Sequence, residues 1–151
     1  KYNYKNPVPD YLVGFSARFE YKNFDISAST RASIGNYVYN QVAAGASYDQ
    51  MYQIGYWKNF PKYLTETNFV KRQFTSDYFV ENASFFKCDN ISAGYRIENI
   101  FKKVNARISL TVQNVFTITK YKGLDPEVAG GIDNNFYPRP RTLMLGINLT
   151  Y

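Results

Sequence analysis

The sequence predicts an all-β protein, a set of antiparallel strands from a transmembrane β-barrel, and three observations predict it. Apolar and polar residues alternate with period two over stretches of about ten residues. Aromatic residues make up 19% of the 151-residue chain, with 15 Tyr and 12 Phe, a composition that favours strands over helices. The connections run short, long, short, long, the pattern of barrels with tight turns on one side of a membrane and long loops on the other.

The first strand is expected at about residues 11–22, "YLVGFSARFEYK". Tyr11, Val13, Phe15, Ala17, Phe19 and Tyr21 take the odd positions, while Ser16, Arg18, Glu20 and Lys22 lie between them. The second, at about 24–34, carries Phe24, Ile26, Ala28, Ala32 and Ile34 on one face and Asp25, Ser27, Ser29, Arg31 and Ser33 on the other. Only Lys22 and Asn23 separate them, so a two-residue turn with Asn23 in the left-handed region sets Tyr21 beside Phe24, Phe19 beside Ile26 and Ala17 beside Ala28. That register also sets Glu20 against Asp25, which requires Arg18 or Lys22 alongside.

A third strand at about 85–98 and a fourth at about 104–115 show the same alternation, through Ile91, Ala93, Tyr95 and Ile97, then Val104, Ala106, Ile108, Leu110 and Val112. A turn near 99–102 joins them and brings Glu98 towards Lys103. The fifth, at about 141–151, sets Leu143, Leu145, Ile147, Leu149 and Tyr151 against Thr142, Met144, Gly146, Asn148 and Thr150. Extracellular loops then occupy about 35–84 and 116–140. These strands match the 9–11 residues that cross a bilayer. Tyr11, Tyr21, Phe24 and Tyr151 fall at strand ends, where interfacial girdles lie.

A soluble antiparallel sandwich, for instance a carbohydrate-binding one, alternates in the same way if a second sheet covers its apolar face. Five strands cannot close a barrel, because an open edge in lipid leaves backbone groups unpaired. The chain begins on Lys1 rather than Met, and the expectation is a piece of a longer protein.

Other classes fit poorly. Mean hydropathy is −0.41, and no apolar run approaches the roughly 18 residues of a membrane-spanning helix. The net charge of +6 is scattered rather than gathered in a stripe, so nucleic acid is not an expected partner. With no His and the single Cys88, neither histidine catalysis nor a multi-cysteine metal site is expected. Asp125, Glu127 and Asp133 sit among Gly123, Pro126, Gly130, Gly131, Pro138 and Pro140, so they read as parts of a folded loop, with a metal site as the alternative. No catalytic residue and no cofactor is expected.

Three stretches carry a family resemblance. "SDYFVENASFFKCDNISAGYRI", residues 76–97, resembles the segment before the last hairpin of SusC/RagA-type TonB-dependent outer-membrane transporters. "VQNVFTITKYKGLDPEVAGGIDNNFYPRPRTLMLGINLTY", residues 112–151, resembles their C-terminal end, and "YKNFDISASTRASIGNYVYN", residues 21–40, is similar to another late-barrel stretch. The words "GLDPEV", "GGID" and "YPRPR" follow one another at family-like spacing.

The resemblance implies that residues 1–151 are the C-terminal part of the barrel domain, the last five strands of a 22-stranded plugged barrel. It implies active import of large nutrients, oligosaccharides or oligopeptides, with a SusD-like surface lipoprotein as lid. TonB would supply energy through a segment outside this chain. A passive porin or structural outer-membrane barrel is the alternative.

On this reading Leu145, Ile147, Leu149 and Tyr151 form an outer-membrane insertion signal. The loop aromatics Tyr37, Tyr39, Tyr48, Tyr52, Tyr56, Trp57 and Tyr63 would meet the lid or the substrate, or else pack the loop's own core. Arg18, Arg31, Arg96 and Arg107 face inward, towards plug carboxylates or a solute path.

Overall fold

Alternating side chains can all be satisfied at once only if each strand has neighbours on both edges and a different medium on each face. The computed structural model, which describes residues 4–49, 62–101, 104–134 and 137–151, builds such a sheet. The side chains of Tyr63, Asn99 and Phe101 also lie outside what is described. Five strands form it: β1 (Tyr11–Tyr21), β2 (Phe24–Ile34), β5 (Phe85–Phe101), β6 (Val104–Thr119) and β8 (Thr142–Thr150), ordered β1-β2-β5-β6-β8. Every pairing is antiparallel. The fourth strand thus runs four residues past its expected end, and the turn after Phe101 falls on residues 102 and 103, outside the described residues. The expected approach of Glu98 to Lys103 lies there too.

The register carries the apolar positions straight across the sheet. Tyr21, Phe24, Tyr95, Ile108 and Ile147 form one row. Phe19, Ile26, Ala93, Leu110 and Leu145 form the next, and Ala17, Ala28, Ile91, Val112 and Leu143 a third. These rows stay open to the surroundings, Phe19 by 65% and Leu145 by 72%. A sandwich would cover them, and monomeric soluble proteins rarely leave so continuous an apolar surface bare. Interleaved rows on the other face hold Ser16, Ser29, Asn90, Gln113 and Thr142, then Arg18, Ser27, Ser92, Thr111 and Met144. Hydroxyls there bond one another, Ser16 to Ser29 at 3.0 Å and Thr111 to Ser92 at 2.8 Å.

One irregularity breaks the period. The register shifts at Ser29/Thr30, so Asp89 is an extra residue in β5 against β2, and opposite it β6 carries two residues, Asn114 and Val115, with Asn114 at a positive φ of 52°. Such a bulge re-aims side chains. Beyond it Phe86 and Cys88 join the apolar face, with Phe86 packed near Phe116 at 6.1 Å between ring centroids. Asp89 turns to the polar face, where both its oxygens accept from Arg31 Nε at 2.9 and 3.1 Å.

The first hairpin has the expected register but a different turn. Lys22, not Asn23, takes the positive φ of 52°, and its ammonium sits 5.4 Å from the Tyr21 ring centre. Asn23 instead extends the ladder, its carbonyl accepting from Arg96 N–H at 2.8 Å.

The expected loop regions contain structure of their own. The described residues of 4–10, 35–84 and 120–138 form a second compact unit. Its sheet joins β3 (Tyr37–Asn40), β4 (Val80–Asn82) and β7 (Ile132–Asp133) in the order β4-β3-β7, with β3 and β7 parallel. Helices α1 (Gln41–Gly45) and α2 (Tyr63–Thr67) belong to it. Asn40 starts α1 by accepting from Ala43 N–H at 2.9 Å, the usual work of an N-cap side chain. The core holds Val38, Ala83 and Tyr121 in one cluster and Ala43, Ala44 and Phe79 in another.

Candidate functional site

The polar face of the large sheet gathers charge at one end. Glu20 and Asp25 do stand opposite each other, and arginines of three strands separate them. Arg18 reaches Glu20 at 2.6 Å and Arg96 approaches it at 3.7 Å, while Arg107 Nε donates to Asp25 Oδ1 at 2.9 Å. Lys22 takes no part. Asp25 is buried, so its charge depends on Arg107.

Gly94 makes room for that pair. A Cβ there would lie 2.5 Å from Arg107 Nη2 and 2.7 Å from Asp25 Oδ1. We therefore expect Gly94→Ala to force the pair apart at a cost of about 1–3 kcal/mol, read as a lower guanidinium midpoint for the folded full-length protein. An unchanged midpoint would show that the guanidinium simply moves aside.

All four arginines expected to face inward therefore have a carboxylate of their own sheet: Arg18 and Arg96 share Glu20, Arg31 holds Asp89 and Arg107 holds Asp25. Arg18 and Arg96 remain about half exposed.

The loop aromatics divide. Tyr52, Tyr56 and Trp57 lie outside the described residues, as does the side chain of Tyr63. Tyr37 and Tyr48 are half-buried. Tyr39 packs on the cluster of Ala43, Ala44 and Phe79, and its hydroxyl donates to the Phe74 carbonyl at 2.7 Å. Burial raises its pKa above the ordinary tyrosine value. The exposed aromatics of the described residues in this unit are others: Tyr4, Phe74, Tyr78 at 60% and Tyr137 at 92%. Of the loop carboxylates, Asp125 accepts from Glu127 N–H at 3.0 Å in a local turn, and buried Asp133 accepts from the Tyr121 hydroxyl at 2.7 Å. On β8, Leu145, Ile147 and Leu149 are exposed on the apolar face and Tyr151 follows the strand.

The small unit also contains a recess of about 350 Å³ that sequence reading missed. Glu66 of α2, Tyr78, Glu81 of β4, Lys120 and Lys122 line it, over buried Ala43 and Phe79. Ser76 caps the single turn Asp77–Phe79, accepting from Tyr78 N–H at 3.2 Å, and so fixes the tyrosine. Glu81 is held at both oxygens, by Asn40 Nδ2 at 3.2 Å and by Lys122 N–H at 2.9 Å. The residues come from four separate stretches with no shared period, so the sequence carries no signal that groups them.

No protein-family model matches the chain. Over its whole length, however, it is 43% identical to the TonB-dependent receptor SusC of Bacteroides thetaiotaomicron, aligned over 162 residues. The chain belongs to the SusC-like TonB-dependent receptors. It is also 29% identical to the TonB-dependent receptor P3 of Formosa agariphila across 97% of its length. The SusC-like chain spans 16% of the length of SusC and 17% of that of P3. Among solved structures it is similar to the RagAB peptide importer in its open-open state, with a TM-score of 0.73 and 28% identity over 97% of this chain and 18% of that one. A second RagAB peptide transporter structure gives 0.70 and 28%, over 95% of this chain and 17% of that one. The bare apolar face of the SusC-like sheet is accordingly the lipid side of a transmembrane β-barrel segment.

Proposed function

We propose that residues 1–151 form the C-terminal part of the barrel of an outer-membrane importer, which takes up oligosaccharides or oligopeptides with a SusD-like lipoprotein as its lid and TonB as its energy source. The observation that carries this is the 43% likeness to SusC along the entire chain. Residues 35–84 and 116–140 are its extracellular loops, and the loop aromatics Tyr37, Tyr48, Tyr52, Tyr56, Trp57 and Tyr63 meet the lid, while Tyr39 packs its own unit. Half-exposed Arg18 and Arg96 offer donors to a plug. The barrel transports its cargo unaltered.

The test is uptake by cells that carry the full-length gene. Growth on an oligomeric nutrient should vanish when the gene, TonB or the neighbouring lipoprotein is deleted. Uptake that persists without TonB would make the barrel a passive porin.

Leu145, Ile147, Leu149 and Tyr151 act in this reading as the signal for outer-membrane insertion. Tyr151→Asp should lower the amount of heat-modifiable, membrane-embedded protein several-fold. Unchanged levels would sink that assignment.

A further inference from the structure

We infer that the recess in the small unit binds a pyranose ring of an oligosaccharide, stacked on Tyr78. The inference rests on the import reading above and assigns it a site and a substrate class.

The volume of about 350 Å³ lies at the lower end of the ~300–1,000 Å³ typical of small-molecule sites. It suits one or two sugar rings. Tyr78 is exposed at the rim yet held from behind, with Phe79 at 5.2 Å and Phe69 at 5.7 Å in edge-on contacts. A fixed, exposed aromatic ring is what the C–H face of a pyranose packs against, and it loses little side-chain freedom on binding. Around it the polar groups are dense but nearly balanced. Glu66 pairs with Lys122 at 3.7 Å, and Glu81 is committed to Asn40 and the Lys122 amide. Lys120 makes no ion pair among the described residues and keeps its ammonium for a ligand. Such a lining offers donors and acceptors to hydroxyls without selecting a strongly charged ligand.

The test is calorimetric titration of the detergent-folded, full-length transporter with neutral α- and β-linked gluco-oligosaccharides, manno-oligosaccharides and a mixed pool of short peptides. We expect one saccharide class to bind, Tyr78→Ala to weaken it at least about tenfold, Tyr78→Phe to stay within about twofold, and Lys120→Ala to weaken it a few-fold. Lys120→Ala leaves the aromatic packing intact, so it decides the matter if Tyr78→Ala does not fold. Saccharide binding unaltered by Tyr78→Ala and Lys120→Ala overturns the site. Binding of peptides alone, or of neither class, overturns the substrate. Growth on the same oligomers, measured with and without the gene, tells these failures apart from a failure of the import reading itself.

Discussion

Leu145→Lys is expected to destabilise the folded barrel by about 2–4 kcal/mol, while Met144→Lys, one residue away, costs under about 1 kcal/mol. Leu145 closes the row that begins at Phe19, on the lipid side. Met144 shares its row with Arg18, Ser27, Ser92 and Thr111, on the interior side. An ammonium at 145 would have to leave water for hydrocarbon; at 144 it stays among hydroxyls. Asn148 is a poorer control than its outward-pointing neighbours suggest, because it stands opposite Arg107 and a lysine there would face a like charge. Guanidinium unfolding in lipid vesicles measures both variants. Equal costs would mean that the two faces of β8 meet the same medium.

The second large effect is expected at Arg107. Arg107→Ala leaves the buried carboxylate of Asp25 without its main donor, and breaking such a pair on one side costs about 3 kcal/mol. Arg96 cannot substitute without abandoning Glu20. Replacing both partners by neutral polar residues, Asp25→Asn with Arg107→Gln, should recover much of that loss, since no charge is then stranded. A double-mutant cycle on the full-length protein reads the coupling. Single and double variants that unfold at the same midpoint would show the pair to be idle.

Much of the large sheet could be read from the residues because period two has a single structural meaning when it lasts for ten positions. Tyr21 beside Phe24 followed from two turn residues and two apolar faces, and the pairing has that register. The charge cluster was half legible: Glu20 facing Asp25 demanded cations, but Arg96 and Arg107 come from strands far along the chain, and hairpin logic could only nominate Arg18 and Lys22. The bulge had a visible sign. Phe86 and Cys88 are even-numbered, whereas Ile91, Ala93 and Tyr95 are odd, so the phase slips between them. The small unit was not legible, because strands of two to four residues, such as Ile132–Asp133 and Tyr37–Asn40, are too short to show a period. Its aromatics stay ambiguous for a related reason: a tyrosine that packs its own unit, such as Tyr39, looks the same in sequence as one that waits for a partner.

The bulge at Asp89 also governs which genetic changes this wall tolerates. Point changes are local, and each tests one side chain against one medium. Removing Asp89 would be different in kind: Lys87 would trade sides with Cys88, and Phe85 with Phe86, so an ammonium would meet lipid while the Phe86 ring turned into water. Adding a residue elsewhere in β5 would invert another part of the strand in the same manner. Insertions and deletions in this strand are therefore frame-shifts of the fold, and a library meant to diversify the protein should vary letters in the strands and confine changes of length to the connections.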